Sequence, residues 1–247
     1  GFSALGTSQQ ANTTTAGNQQ MASVAMLDPN NYVVVWSGQG PGDSDGVFAR
    51  QFSLNAMAPT LMSLSAVADT YIEGGSTGIN HGVTTSLVVD KSGGDIGNQR
   101  ALLKFDLSSL PAGTVILGAT LKLNATQNND INVYELTENW VEGNVNGTAS
   151  VANWNQRQAG TNWTTSGGTY DSTVVATLNT GATGQHSWDI TSLVAAWQSG
   201  TKSNNGIILG SPDSGGSTIV YDSREGTTPP VLELSVLLPN TAPMISS

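Results

Sequence analysis

The chain has 247 residues, 38% hydrophobic and only 11% charged, with no cysteine and a net charge of −10 from 18 acidic and 8 basic side chains. That apolar fraction suffices for a packed core and excludes disorder by composition, while the absence of cysteine leaves core, metals or neighbours to stabilise the fold. Nucleic acid and anionic membranes are excluded as partners, because no basic stripe can displace phosphate counterions.

In chain order, Tyr32–Trp36 reads Tyr-Val-Val-Val-Trp and predicts a strand buried on both faces. A turn-rich run from Gly38 to Gly46 follows, then an alternating strand over Val47–Phe52. Residues 1–57 are thus expected to form a small N-terminal β unit, and 58–65, which contain Pro59, a linker. Further strands are expected at Thr70–Glu73, Ser86–Asp90, Ala101–Leu107, Ala119–Ala125, Ile131–Leu136, Ser172–Leu178, Gly206–Leu209, Thr218–Tyr221 and Val231–Val236. Short strands separated by turn signals predict an all-β antiparallel sandwich over 66–237. Only Ile190–Gln198 has helical spacing, with Asp189 or Thr191 as cap and Gly200 as stop. It is expected to plug one end of the sandwich. Residues 238–247 read as an extended connector. No apolar run is long enough for a signal or membrane helix, and the start at Gly1 reads as processed or excised, in keeping with export.

A set of motifs runs in order through the second part of the chain. They are Ala68-Asp69-Thr70-Tyr71-Ile72, Asn80-His81-Gly82, Arg100 to Ser108, Ala119 to Leu123, Val133-Tyr134 and Trp140-Val141-Glu142-Gly143. Asp189-Ile190-Thr191, Trp197, Asn204-Asn205-Gly206 and Ser223-Arg224-Glu225 complete the set. In this order they resemble the DNRLRE domain family over about 66–237. The resemblance implies a jelly-roll sandwich of large exported proteins, some of which bind acidic polysaccharide through a lysine-rich face. The corresponding stretch here offers Lys91, Arg100 and Lys104. The front segment, from Ala11-Asn12-Thr13 through Gly46 to Phe52, resembles a single adhesin-type repeat of bacterial surface proteins. The Asn240-Thr241-Ala242-Pro243 tail resembles a lead-in to cadherin-like domains of the same proteins.

Signals for catalysis are poor. Gly42-Asp43-Ser44-Asp45-Gly46 fits G-x-S-x-G, but Pro41 and a strand replace the strand and helix that a nucleophile elbow requires. The two histidines, His81 and His186, lack marked partners and are read as turn and surface residues. Glu138 and Glu142 bracket Trp140 without further support for a glycosidase pair. The expectation is therefore a non-enzyme. The acidic balance suggests structural calcium, with Asp69, Asp130 and Glu138 as candidate ligands and Asp43 and Asp45 as a second site. Trp140, Trp154 and Trp163 fall in a loop-rich stretch, where exposed indoles would offer platforms for sugar rings.

Two functions follow. One is an extracellular structural or adhesive protein that assembles with its own copies by donating strands. The polar, Pro-free stretch Gln10–Leu27 would then add to a neighbour's sheet edge. The other is a carbohydrate-binding module of a larger secreted protein, with polysaccharide as partner.

Overall fold

The run Tyr32–Trp36 lies in the middle strand of a sheet, but its side chains are half-buried and not buried on both faces as expected. Strands β1 (Gln19–Asp28), β2 (Asn31–Gly40) and β3 (Asp43–Ser53) form a three-stranded antiparallel sheet in the order β1-β2-β3. Register places Tyr32 opposite Phe52 and Trp36 opposite Phe48, and the ring pairs stack with centroids 5.0 and 6.1 Å apart. The strands run on to Gly40 and restart at Asp43, so the expected long turn is shorter than its composition suggests. From Gln19 the Gln10–Leu27 segment forms β1, whose backbone pairs with β2 of its own chain. The computed structural model describes residues 10–13, 17–28, 31–40, 42–53, 59–90, 96–127, 130–148, 151–178, 183–212 and 218–239. Lys91 and most of the expected C-terminal connector lie outside them.

The chain divides after Ala58. The second unit, Pro59–Leu238, begins with β4 (Thr60–Glu73), β5 (Ile79–His81), β6 (Ser86–Val89), β7 (Gln99–Phe105) and β8 (Val115–Ala125). Next come β9 (Ile131–Glu135), β10 (Asn146–Thr148), β11 (Gln156–Gln158), β12 (Thr161–Asn162), β13 (Ala176–Leu178) and β14 (Gly184–Asp189). Helix α1 (Thr191–Gln198), β15 (Ile207–Gly210), β16 (Ile219–Asp222) and β17 (Val231–Leu237) complete it.

The unit is an antiparallel β-sandwich. One layer runs β13-β9-β15-β7-β4; the other runs β4-β17-β8-β16-β6, with β14 also paired to β8. Strand β4 serves both layers. Thr60–Ser65 pair with β17, the register shifts between Ala66 and Ala68, and the remainder pairs with β7. The expected linker 58–65 is thus mostly strand. Pro59 precedes the strand and does not interrupt it, and Met62, Leu64 and Ala66 alternate inward to the core.

Between the layers, Ala101, Leu103, Phe105, Ile207 and Leu209 meet Leu121, Leu123, Leu232, Leu234 and Val236. Helix α1 closes this core with Leu193, Val194 and Trp197. The Asp189 carboxylate accepts the Thr191 amide at 2.9 Å at its start, and Gly200 takes φ +75° just past its end. Contrary to the sequence reading, both histidines are buried. His186 donates to or accepts from the Tyr221 hydroxyl at 3.0 Å, and the His81 ring stacks on Tyr71 at 3.8 Å.

Candidate functional site

The β7–β9–β15 layer is apolar on both faces, as the runs Ala101-Leu102-Leu103 and Ile207-Ile208-Leu209 require. Leu102, Tyr134, Leu136 and Ile208 point away from the main core and need a cover. The excursion from 137 to 170 supplies it and builds a second core with Trp140, Ala152 and Trp163. Trp140 and Trp163 are only 3% and 4% exposed, and their indole nitrogens donate to the carbonyls of Asn205 (3.0 Å) and Asn153 (2.9 Å). They are therefore structural and not sugar platforms. Trp154 is half-buried, its ring capped by the Arg100 guanidinium at 4.8 Å.

Arg100 is itself buried, donating to the carbonyls of Gly97 and Gly167 at 2.8 Å each. Gly167 has φ +88°, and a Cβ there would come within 2.9 Å of both Trp154 and Arg100. Lys104 donates to the Asn139 amide oxygen and lies over the Trp140 ring. Of the three cations in the stretch that corresponds to the relatives' lysine-rich face, Arg100 and Lys104 are thus engaged with residues of the excursion and its surroundings, and Lys91 lies outside the described residues.

The same excursion carries a groove of about 490 Å³ on its outer side, lined by Thr148, Asn153, Asn155, Gln156, Asn162 and Ser166, with Gly78 at its edge. Its floor is tightly tied. The Asn153 side-chain oxygen accepts the amides of Asn155 (2.9 Å) and Gln156 (2.8 Å), and Asn153 donates its own amide to the Gln156 carbonyl at 2.8 Å. Strands β11 and β12 pair Gln156 with Asn162, and the Trp163 amide donates to the Asn155 carbonyl at 3.0 Å. Among the described residues, the side chains of Asn155, Gln156 and Asn162 take part in none of these bonds. Three carboxamides, each a donor and an acceptor, are left facing one groove. The sequence reading missed them because Asn and Gln are abundant along the chain. The local signal is their interleaving with Trp in Asn153-Trp154-Asn155-Gln156 and Asn162-Trp163.

Where the layers part, a polar cluster ties the excursion down. Asn80 donates to the carbonyls of Glu142 (2.6 Å) and Ala152 (2.7 Å), and a His81 ring nitrogen lies 3.3 Å from the Glu73 carboxylate. Asp69 donates its amide to Glu142 at 2.7 Å and accepts the Arg224 amide at 2.7 Å. The Arg224 guanidinium bridges Glu142 (2.8 Å) and Glu225 (3.0 Å). Burial pushes the Asp69 carboxyl up to about 7 against the opposing Arg224 hydrogen bond, and burial raises Glu142 as well.

Among the described residues, Asp69 is the one candidate calcium ligand that joins a carboxylate cluster, and its companions are Glu142 and Glu225. Glu138 instead accepts the Thr164 amide at 3.1 Å, and the Asp130 carbonyl accepts the Ser211 hydroxyl at 3.0 Å. Asp43 accepts the Asp45 amide within the β2–β3 hairpin at 2.9 Å. Arg224 already balances charge within the Asp69 cluster, and its carboxylate oxygens are engaged by the amides of Asp69 and Arg224 and by the Arg224 guanidinium.

A family model, carbohydrate-binding module family 96, matches residues 60–236. The chain belongs to this family. The match covers both layers of the sandwich, the excursion with its groove and the Asp69 cluster, nearly the same stretch as the DNRLRE resemblance. No curated protein is matched by the chain.

Proposed function

We propose that this family 96 module is a non-catalytic, polysaccharide-binding part of a larger secreted protein, and that its ligand lies in the groove over β11 and β12. The observation that carries this reading is the set of three unpartnered carboxamides gathered on a preorganised floor in a chain of a carbohydrate-binding family. Both histidines are buried, His186 against Tyr221 and Trp188 and His81 against Tyr71 and the Glu73 carboxylate, which supports structural roles for them. Among the described residues, no helix is long and apolar enough to cross a membrane. Affinity electrophoresis through gels containing dissolved polysaccharides tests the reading. Retardation without new reducing ends is the expected result; turnover abolished by one point substitution would overturn the non-catalytic part.

A second reading is an adhesive or self-assembling role for the N-terminal unit. It is favoured by edge strand β1, which exposes Met21, Val24, Met26 and Leu27. Polymers in electron micrographs of the full chain, lost on deletion of residues 1–20, would support it. A monomer at high concentration would remove it.

A further inference from the structure

Resting on the carbohydrate-binding reading, we infer that the groove over β11 and β12 takes an uncharged glycan, recognised through its hydroxyls, and not a polyuronate. The lining contains carboxamides, hydroxyls and a glycine but no ionisable side chain. A carboxamide offers a donor and an acceptor about one hydroxyl apart, so Asn155, Gln156 and Asn162 can each exchange paired bonds with neighbouring sugar hydroxyls. A uronate carboxylate in the same place would shed water without meeting a countercharge, and that desolvation opposes binding.

The nearby cations do not supply the countercharge. Arg100 is held beneath Trp154 by two backbone carbonyls. Alternation along β11 turns Arg157 away from Gln156, and its guanidinium donates to the Asn139 carbonyl at 2.9 Å. Lys104 is occupied by Asn139 and Trp140. The net charge of −10 adds a long-range term that disfavours any polyanion.

Preorganisation makes weak individual bonds useful here. The Asn153 turn and the two tryptophans beneath it fix the backbone that carries all three amides, so little ordering is needed on binding. Among the described residues no aromatic side chain lines the groove, so hydrogen bonds must carry recognition. Binding should therefore be nearly insensitive to salt.

The test uses the full chain with two neutral polymers, galactomannan and mixed-linkage β-glucan, and two polyuronates, alginate and polygalacturonate. Affinity electrophoresis is run at low salt and at about 0.5 M sodium chloride. We expect retardation by at least one neutral polymer at both salt levels and by neither polyuronate. The double variant Asn155→Ala/Asn162→Ala should bind about tenfold or more weakly. Its melting temperature should match the parent, because both side chains are exposed and make no internal bond. Polyuronate binding that fades with salt would overturn the ligand class while leaving the carbohydrate-binding reading in place. Neutral binding unchanged in the double variant would overturn the site alone. Failure to bind any of the four would overturn this inference, and failure across a wider panel would remove the parent reading too.

Discussion

The two layers of the sandwich share β4 and one core, yet they treat their outer faces in opposite ways. The β8–β17 layer turns Thr120, Lys122, Glu233 and Ser235 outward beside exposed Leu61 and Leu117, a mixed face crossed by a Lys122–Glu233 ion pair at 2.7 Å. The β7–β9–β15 layer turns Leu102, Tyr134 and Ile208 outward and must bury them a second time under the 137–170 excursion. The bare face needs no cover, and it carries no cluster of unpartnered amides. The covered face needs a long excursion, and that excursion brings a rigid floor on which side chains can be presented to a ligand. On the proposed reading, the binding site is a by-product of hiding an apolar sheet face.

The largest break in this comparison should come from removing the cover's anchor. Trp163→Ala is expected to cost about 3–5 kcal/mol, since it empties a buried site and strands the Asn153 carbonyl. Urea unfolding should show it as a lower midpoint, and a change under about 1 kcal/mol would mean that the excursion is not part of the folded core. Next is Arg100→Ala, which leaves the Gly97 and Gly167 carbonyls and the Trp154 ring without their partner. Roughly 2–3 kcal/mol should be lost in the same assay.

The Asp69 cluster sharpens the comparison through pH. Its carboxyl rises from 3.8 to about 7 on folding, so the folded state binds the proton more tightly than the unfolded chain. The contribution is fully present below about pH 4 and is lost as pH rises through about 7, a loss on the order of 4 kcal/mol. Glu142, also raised, acts in the same sense. Thermal melts should therefore give a higher midpoint at pH 5 than at pH 8, and Asp69→Asn should flatten the difference. A midpoint that rises with calcium at pH 8 and falls with chelator would show a cation replacing the proton. The smallest stability effects belong to the exposed positions. Glu233→Gln on the bare face should change stability by under about 1 kcal/mol, and Asn155→Ala by under about 0.5 kcal/mol, with binding weakened only in the second.

Much of the sandwich was legible because its strands alternate or run apolar: Leu121, Leu123, Leu232, Leu234 and Val236 reach the core as their period requires. The start of β4 was hidden by Pro59 beside it, although Met62-Ser63-Leu64-Ser65-Ala66 already alternates. Strand β14 was missed as well, with its inward pair His186 and Trp188 flanked by polar residues. The site was less legible. Tryptophans in a loop-rich stretch suggest exposure, but an outward apolar sheet face, seen only in three dimensions, claims Trp140 and Trp163 for a second core. Asp69 was singled out, whereas its companions Glu142 and Glu225 arrive from loops distant in sequence.

The account rests on ligand engaging the covered layer, which side-chain amide and indole resonances of ¹⁵N-labelled full-length chain can report during titration with a neutral polysaccharide that retards it. The expected shifts fall on the Asn155, Gln156 and Asn162 side-chain amides, with a smaller response from the Trp163 indole. Backbone-amide shifts confined to Thr120, Lys122, Glu233 and Ser235 in the same spectra, with the side-chain amides of Asn155, Gln156 and Asn162 unmoved, would place the ligand on the bare sheet face and contradict this.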